Sequence, residues 1–309
     1  MDRLDGSAAV PARWRGGILA LGNFDGFHLG HQAVVGRAVA RAHAAGRPAI
    51  VATFDPHPKR YFRPDTPPFR LTTLDQRQAL FAAAGADAML VFAFDATLAG
   101  LSAAAFAGDR LATAIGAGGV VTGTDFTFGK GRDGDVAVLA ELGRAHGFVA
   151  ETVAPVALDG EVVSSSRIRD LLREGDPRGA AALLTRPFTV EGVVEPGAQL
   201  GRTLGYPTAN LTMGKYLRPA YGIYAVRGRL PDGRMLDGAA NLGIRPTIAG
   251  DPVELLEPYF FDFDGDLYGQ RIEVALIDFL RPEAKFDSLD ALKVQMALDC
   301  DRARALLAG

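Results

Sequence analysis

The sequence predicts an α/β domain with a parallel sheet, followed by a small antiparallel β-barrel and a closing helix. In the first part of the chain, short apolar runs alternate with alanine-rich amphipathic stretches, which is the rhythm of a parallel sheet covered by helices. After Pro187 the chain changes to short β-rich segments broken by Gly, Pro and Asp, which is typical of a small barrel. A helical pattern follows Asp287-Ser288, with Leu289, Leu292 and Met296 on one face.

The apolar runs give the expected strands of each part. In the first part we expect parallel strands at Ile18–Leu21, Ala49–Phe54, Ala88–Phe92, Gly119–Thr122 and Phe148–Val153. In the second part we expect antiparallel strands at Phe188–Val194, Gly222–Arg229, Arg234–Asn241, Val253–Phe263 and Arg271–Leu280. The predicted domains are residues 1–185 and 186–309.

Composition and charge exclude several classes of function. The 309 residues carry a formal net charge of −3 and no tract rich in Lys or Arg, so nucleic acid is not an expected partner. No apolar run reaches membrane-spanning length, and the charged first residues do not form a secretory signal. The single cysteine, Cys300, fits a reducing compartment. We therefore expect a cytoplasmic protein without a membrane partner, and the sequence carries no signal for an oligomeric state.

Two histidines and several glycines lie between the first strand and a helical pattern, in Gly22–His31. We expect this helix to run from about Val34 to Gly46, with its open N–H groups facing His31. Such N–H groups bind anions, and His28 and His31 can donate hydrogen bonds to phosphoryl oxygens. The segment therefore predicts a phosphate site that stabilises charge during in-line attack on ATP. Half of a metal site, or ordinary loop histidines, are the alternatives.

Two further loops of the first part combine aromatic rings with rigid or glycine-rich backbone. In Thr53–Pro58, two prolines hold Phe54 and His57 in an extended loop that could receive a flat ring system. A plain turn at the end of the strand is the alternative for this segment. The segment Gly123–Gly134 contains a formal G-x-G-x-x-G, which is the dinucleotide fingerprint and the sharpest competing signal. Phe126, Phe128, Lys130 and Arg132 occupy this turn. A loop that packs aromatics on a planar ligand and reaches phosphate fits them better.

A serine-capped helix opens at Val163–Arg169. Arg167 and Arg169 lie in its first turn, where cations oppose the helix dipole by about 0.3–1 kcal/mol each when exposed. A phosphate bound between them and the free N–H groups would remove that cost. The segment therefore predicts a second phosphate contact, with two solvated arginines as the alternative.

The second part contains one segment of oxygen ligands and one acidic segment. Thr208 and Asn210 alternate along an extended stretch, so their side chains share a face, and a hydroxyl with an amide oxygen suits Mg²⁺. Between Glu254 and Asp266, several carboxylates crowd together, one of which could act as general base for an attacking hydroxyl. Spacing does not choose among them. A calcium loop is disfavoured because Leu267 stands where its turn glycine would be.

Taken together, these motifs resemble the prokaryotic bifunctional riboflavin kinase/FAD synthetase (FMN adenylyltransferase) family. The resemblance extends from about Ile18 to about Met296 and rests on seven segments in the family's order: GNFDGFHLGH, TFDPHP, TDFTFGKGRDG, SSSRIR, GYPTAN, NLGIRPT and DFDGDLYG. It implies a Rossmann-like nucleotidyltransferase domain that makes FAD from FMN and ATP. It also implies a six-stranded riboflavin kinase barrel that makes FMN, with Mg²⁺ as cofactor and ATP, riboflavin and FMN as substrates.

The resemblance implies roles for residues of both parts. In the first part, it implies ATP-phosphate contacts for Asn23, His28 and His31, a phosphate clamp for Ser164, Ser165 and Arg167, nucleotide contacts for Asp125, and flavin contacts for Phe54, Pro56, Pro58 and Phe128. In the second part, it implies nucleotide contact for Gly205, Mg²⁺ ligation for Thr208 and Asn210, flavin contacts for Arg245 and Phe286, and a catalytic base at Glu257.

Two departures from the family pattern are visible. Ser166 replaces a usual threonine and keeps the hydroxyl. Pro258-Tyr259 follows Glu257 where a strand-favouring residue and a histidine are common, and proline removes a ladder donor. Glu254 is therefore the fallback base. Two other functions compete with the enzyme: a flavin-binding or storage protein without turnover, and a nicotinamide-dependent oxidoreductase built on Gly129–Gly134.

Overall fold

The computed structural model describes residues 1–196, 205–245 and 253–308. The chain forms two compact units. Unit 1 comprises Met1–Pro67 and Thr72–Ser164, and unit 2 comprises Pro68–Leu71 and the chain from Ser165 onward. Within the described ranges, none of the helices combines the length and the hydropathy that a bilayer crossing requires.

Unit 1 is built on a six-stranded parallel sheet, as the sequence predicts. Its strands are β1 (Asp2–Asp5), β2 (Ile18–Leu21), β3 (Ala49–Asp55), β4 (Ala88–Ala93), β5 (Gly119–Gly123) and β6 (Val149–Val153). They lie in the order β1-β4-β3-β2-β5-β6. Strand β1 is an addition to the predicted set. It is short and mostly exposed, so it has no apolar run from which it could be predicted.

Helices cover both faces of this sheet. They are α1 (Leu29–Ala44), α2 (Pro58–Phe62), α3 (Leu74–Ala83), α4 (Ala96–Ala99), α5 (Ala103–Ala105), which continues as a π-helix (Phe106–Ile115), and α6 (Val136–His146). Leu19 and Leu21 belong to one core cluster, whereas Ile18 and Ala20 belong to another. Because alternate strand residues point to opposite faces, β2 is buried on both sides. Short pieces complete unit 1: β7 (Ala157–Leu158), β8 (Glu161–Val162) and 3₁₀ turns at Ala12–Trp14 and Lys130–Arg132.

The strand order reverses between β2 and β5, which lie side by side. From β2 the chain moves outward through β3 and β4 on one side, and through β5 and β6 on the other. Ligands of open α/β sheets bind beyond the carboxyl ends of the strands at such a reversal. The segments after β2 and after β5 both leave from that edge, and both contain predicted site residues.

Unit 2 holds an antiparallel barrel of six strands, which also agrees with the prediction. Its elements are α7 (Ser165–Arg173), α8 (Pro177–Leu184), β9 (Phe188–Val193), β10 (Leu211–Thr212), β11 (Gly222–Arg229), β12 (Met235–Arg245), β13 (Val253–Phe260), β14 (Arg271–Pro282) and α9 (Leu289–Leu307). The strand order is β10-β13-β12-β11-β14-β9. A bridge between Glu195 and Asn210 links the ends of this order and nearly closes the barrel.

Helix α9 packs on the outside of the barrel. Ser288 caps its first turn by accepting from Ala291 N, and Ala303 and Leu307 pack against the strands. The buried Asp299 accepts two hydrogen bonds from Arg281 Nε and a third from its Nη2. The expected apolar face therefore differs from the observed one: Leu289 is 59% exposed, because the contacts come from the carboxyl-terminal half of the helix.

Candidate active sites

The segment after β2 ends in an imidazole that caps α1. The helix begins at Leu29, five residues before the predicted start near Val34, because His28 adopts an extended backbone and its Nδ1 accepts from His31 N at 3.4 Å. A neutral His28 whose Nδ1 accepts carries its proton on Nε2, the nitrogen that can donate to a phosphoryl oxygen. The His28 and His31 rings stack with centroids 3.6 Å apart. Both imidazoles thus lie in the first turn of α1, where anions are favoured.

Buried polar groups hold the backbone of this loop from below. Arg77, which is 2% exposed, donates from Nη1 to Asn23 O at 2.9 Å and to Thr53 Oγ1 at 2.8 Å. Thr53 Oγ1 in turn donates to Asn23 O at 2.9 Å. Asp25, which is 3% exposed, accepts from the Thr72 N–H and hydroxyl. This clamp (Arg77, Thr53, Thr72) draws on three separate segments, and sequence reasoning missed it because no local motif marks it.

Two phenylalanines anchor the loop in the core. Phe24 and Phe27 have positive φ angles of 51° and 45°, which is a strained conformation for a side chain with a Cβ. Both rings are buried and meet Phe81 edge to face at 5.8 and 5.1 Å. Their burial offsets the strain, so that the loop keeps one shape. The Asn23 Oδ1 atom is buried in this loop, and none of the described residues hydrogen bonds to it, which fits a ligand-binding role.

The predicted flavin residues Phe54 and Phe128 belong to one continuous aromatic cluster. Phe54 stacks on Phe92 at 5.4 Å, and Phe106 connects Phe92 to Phe128. Both predicted rings are 8% exposed, so each offers little free surface. The exposed end of the cluster is Phe62, which is 64% exposed and meets Phe94 at 5.7 Å. Exposure of a large ring marks Phe62 as a candidate that the sequence did not single out. Pro56 and Pro58 flank the turn into α2, where Pro58 is the first residue.

The glycine-rich loop after β5 lacks the dinucleotide arrangement. Its glycines do not open a helix, because Phe128 and Gly134 pair with each other and Asp133 accepts from Ala103 N. Helix α6 begins only at Val136, and Asp135 already caps its N–H groups. A carboxylate at this position excludes a pyrophosphate from the helix N-terminus. The exposed Asp125 folds back over Gly123, at the same sheet edge as His28.

The serine and arginine segment divides between the two units. Ser164 ends unit 1, and its neighbour Val163 lies beside the start of α1: a Cβ on Gly30 would be 3.7 Å from Val163 O. Ser165 and Arg167 lie in the first turn of α7, in unit 2. Arg169 also has contacts within unit 2: its Nε donates to Phe69 O at 2.8 Å, and its guanidinium lies over the Phe69 ring. Its anion-binding role stays a prediction.

In unit 2, the predicted ligand Asn210 lies opposite the predicted base Glu257. Leu211 pairs with Leu256, and Ala209 N donates to Pro258 O at 2.9 Å, so the intervening residues face each other. On the other side of Glu257, the register pairs it with Asn241. Opposite residues of antiparallel strands point to the same face. The result is a polar row, Asn210–Glu257–Asn241, across β10, β13 and β12.

The amide of Asn210 fits a metal or nucleotide ligand. Asn210 is 5% exposed, and its Oδ1 is buried without a hydrogen-bond partner in the part of the chain that the structure describes. Thr208 lies two residues earlier and is partly buried, and the shared face of the two side chains stays a prediction. Gly205, at the start of this segment, has a φ of +87° and is exposed. Residues 200–204, which precede it in the predicted motif region, and Pro246-Thr247 of NLGIRPT lie outside the described residues.

Two carboxylates of β13 have opposite environments. Burial raises the pKa of Glu257, whose side chain is 13% exposed, and the Arg245 guanidinium and the Asn241 amide oppose that rise only in part. For Glu254, burial raises the pKa but is outweighed by hydrogen bonds from Tyr221 and Arg218, so the pKa lies below its usual value. Glu254 accepts from Tyr221 Oη at 2.5 Å and from Arg218 Nε at 2.6 Å. It is a structural anion, which leaves Glu257 as the better proton acceptor.

Pro258 does not disturb the strand that carries Glu257. The N–H and C=O of a strand residue point to the same side, and Pro258 O faces Ala209 of the β10 side. The N–H group that proline lacks would therefore point to the β10 side, next to Ala209, which lies outside β10. Pairing between β12 and β13 continues unbroken from Gly238 to Arg245. The geometry around Glu257, the least secure point of the sequence analysis, is that of a regular strand.

Phe286 and Arg245 lie at the edges of the same barrel. Arg245 ends β12 and pairs with the Glu257 carboxylate. Phe286 lies between β14 and α9, with the guanidinium of Arg281 5.7 Å from its ring centroid. Since Asp299 fixes Arg281, helix α9 indirectly supports the Phe286 ring.

Comparisons with known proteins also divide the chain into two parts. The FAD synthetase family profile matches residues 10–167, and the riboflavin kinase family profile matches residues 184–307. A bifunctional riboflavin kinase/FMN adenylyltransferase of Pseudomonas fluorescens is 42% identical over 95% of this chain and 94% of its own. The protein of the same description from Escherichia coli K12 is 37% identical over 92% of this chain and 90% of its own.

A solved structure has the same fold over nearly its whole length. It is described as a macrolide-efflux protein from Streptococcus pneumoniae, and it superposes with a TM-score of 0.87 at 29% identity, over 98% of this chain and 99% of the other. Both family profiles match, and the bifunctional relatives align over almost the entire sequence. The chain therefore belongs to the family of bifunctional riboflavin kinases/FMN adenylyltransferases.

Proposed function

We propose that this chain makes FMN from riboflavin and ATP in unit 2, and FAD from FMN and ATP in unit 1, releasing pyrophosphate. The observation that carries the proposal is that each unit contains a buried amide oxygen without a hydrogen-bond partner among the described residues, near groups suited to a phosphoryl reaction. In unit 1 this is Asn23, in the same loop as His28, and in unit 2 it is Asn210, opposite Glu257. The family profiles support the assignment of one activity to each part.

In unit 1, the chemistry is charge stabilisation during attack of the FMN phosphate on the α-phosphorus of ATP. The first turn of α1 offers N–H groups and partial positive charge. His28 donates from Nε2, and His31, stacked on it, adds a second imidazole. The clamp under Asn23 keeps these donors in place before substrate binds, so that little reorganisation is needed. We propose that Ser164 and Asp125 contribute nucleotide contacts, with Phe54, Phe128, Pro56 and Pro58 near the flavin. For Ser165 and Arg167, the phosphate contact that the family resemblance implies also stays a proposal.

In unit 2, the chemistry is transfer of the γ-phosphoryl group of ATP to a ribityl hydroxyl. Glu257 accepts the hydroxyl proton, and its raised pKa makes it a stronger base than an ordinary carboxylate. We propose that Thr208 and Asn210 would hold Mg²⁺, which would supply positive charge to offset the charge that develops on the phosphoryl group. Gly205 contacts the nucleotide, and Arg245 and Phe286 contact the flavin. Arg245 also keeps the Glu257 carboxylate oriented through its ion pair.

The remaining assignments are also part of the proposal. We expect the enzyme to work in the cytoplasm on small molecules, without nucleic acid or a membrane as partner. The near-neutral net charge of −3 and the single, partly buried Cys300 support this view. We also propose that the domains extend over residues 1–185 and 186–309.

The test is a product analysis of the purified protein with riboflavin, ATP and Mg²⁺. We expect FMN to appear first and FAD to follow, with ADP and pyrophosphate as the other products. A second reaction that starts from FMN should give FAD alone. Tight flavin binding without ATP consumption would instead identify a flavin-storage protein. Recovery of unchanged riboflavin without flavin binding would overturn the proposal.

A further inference from the structure

The chain has three asparagines, and all three share one unusual property. The side-chain oxygens of Asn23, Asn210 and Asn241 are buried and have no hydrogen-bond partner among residues 1–196, 205–245 and 253–308. Buried polar atoms are normally paired, because an unpaired one loses its bonds to water without compensation. Asn23 and Asn210 belong to the two candidate phosphate sites. Asn241 has the same property but no assigned role, so its oxygen requires an explanation.

The amide of Asn241 is oriented by two carboxylates. Its Nδ2 donates to Glu283 Oε1 at 3.3 Å, and its side chain also hydrogen bonds to Glu257. Ionised carboxylates only accept, so both bonds must come from the NH₂ end of the amide. The Oδ1 atom therefore points away from both carboxylates. Its direction is set by its neighbours and not by a free rotation.

Gly243 makes the approach of Glu283 possible. A Cβ atom on Gly243 would lie 2.1 Å from Glu283 Oε1, which is far inside van der Waals contact. Any other residue at position 243 would force the Glu283 carboxylate to move away from β12, and the Asn241 amide would lose this hydrogen-bond partner. Close packing against the partner of Asn241, and not a turn, thus explains the glycine at position 243.

The position of Asn241 indicates what its oxygen binds. In the polar row, Asn210 lies on one side of Glu257 and Asn241 on the other, each about 4.8 Å away across the sheet. An amide oxygen needs a donor, which excludes the phosphate groups of ATP, since these offer only acceptors. With the nucleotide on the Asn210 side and the reacting hydroxyl at Glu257, the rest of the polyol chain extends toward Asn241.

We propose that Asn241 is a substrate-binding residue of the kinase reaction, and that its Oδ1 accepts a hydrogen bond from a ribityl hydroxyl next to the one that Glu257 deprotonates. This inference rests on the proposed riboflavin kinase function of unit 2. It adds a specificity element, because a flavin without the polyol could not satisfy the buried oxygen.

The test compares Asn241→Ala and Asn241→Ser with the wild type in steady-state assays of riboflavin consumption, varying riboflavin and ATP separately. For Asn241→Ala we expect kcat/KM for riboflavin to fall about tenfold or more, since a substrate hydrogen bond is lost, while KM for ATP changes less than about twofold. Asn241→Ser keeps a shorter acceptor and should recover part of the loss. Adenylylation of supplied FMN, measured on the same preparations, controls for folding.

Glu283→Ala is the matched control, because it removes the acceptor to which the Asn241 amide donates but leaves the Oδ1 atom of Asn241. Its effect should be smaller than that of Asn241→Ala. A loss equal to that of Asn241→Ala would mean that the amide only holds Glu283, and would overturn the inference. So would a rise in KM for ATP or in the Mg²⁺ requirement, which would place the oxygen at the metal, or a change in melting temperature alone.

The proposed kinase function is tested separately, by FMN formation in the wild type and in Glu257→Gln. If the wild type forms FMN and Glu257→Gln does not, the kinase assignment stands, and unchanged kinetics of Asn241→Ala would refute only the role of Asn241. If the wild type forms no FMN, the kinase function fails and this inference fails with it.

Discussion

The two units prepare for a triphosphate by different structural means. In unit 1 the ligand groups lie on a loop and a helix start, and a buried clamp of Arg77, Thr53 and Thr72 fixes that loop from below. In unit 2 the polar row lies on or next to paired strands, whose register brings its residues together, and Arg245 and Glu283 then orient the side chains of Glu257 and Asn241. A site on a loop therefore needs long-range polar contacts to become rigid, whereas the backbone of a site on strands is held by the hydrogen-bond ladder.

The largest expected effect is on the unit 2 base. Glu257→Gln removes the proton acceptor but keeps the shape, so FMN formation should fall by about 10²–10⁴-fold while supplied FMN is still adenylylated. Product analysis by chromatography measures both reactions in one sample. Glu254→Gln is the control, because the Glu254 carboxylate is already engaged as an anion by Arg218 and Tyr221, and its loss should reduce stability more than kcat. Equal losses of kcat in the two variants would contradict the assignment of the base.

The reciprocal change tests the loop site. His28→Ala removes both the cap of α1 and the Nε2 donor, so FAD formation should fall by about 10²–10³-fold while FMN accumulates from riboflavin. The rate of FAD formation from supplied FMN gives the magnitude. If this substitution also abolished FMN formation in a folded protein, the division of the two reactions between the units would be wrong.

A smaller effect is expected from the clamp, and it sharpens the contrast between loop and strand. Thr53→Val keeps the side-chain shape but removes the hydroxyl that connects Arg77 with Asn23 O. Unfolding free energy should fall by about 1–3 kcal/mol, because buried partners lose a hydrogen bond. Adenylylation should lose kcat about tenfold as Asn23 loosens. Thermal unfolding and single-turnover rates measure the two effects, and unchanged kinase activity would show that they stay in unit 1.

The smallest effect is a shift in pH dependence. Because the pKa of Glu257 lies above the ordinary 4.5, lowering the pH protonates this base earlier than an exposed carboxyl, and kinase activity should fall as the pH drops through the raised value. Arg245 lowers this pKa, so Arg245→Gln should move the acid limb to higher pH. Profiles of kcat/KM for both reactions check this. An acid limb that stayed in place in Arg245→Gln would contradict the electrostatic role of the ion pair.

Much of the architecture was predictable from the sequence, because the signals are local. The period-2 and helical apolar patterns indicated the parallel sheet and the barrel, and β2 and β11 begin and end where the sequence predicts. The start of α1 was wrong, because an imidazole at His28 replaces the usual Ser, Asp or Asn as cap. The contact of Arg169 with Phe69 could not be predicted, because the two residues lie 100 positions apart in the chain.

By itself, the sequence determined where helices and strands form, the two phosphate-related motifs and the residue types able to do the chemistry. Each of these depends on residues that are close together in the chain. Only the tertiary structure decided which of these residues act together. Cross-strand register places Asn210 and Asn241 on either side of Glu257, hydrogen bonds make Glu254 a structural anion, and Arg77 reaches Asn23 from 54 residues away. Such choices depend on distances across the fold, which no local pattern encodes.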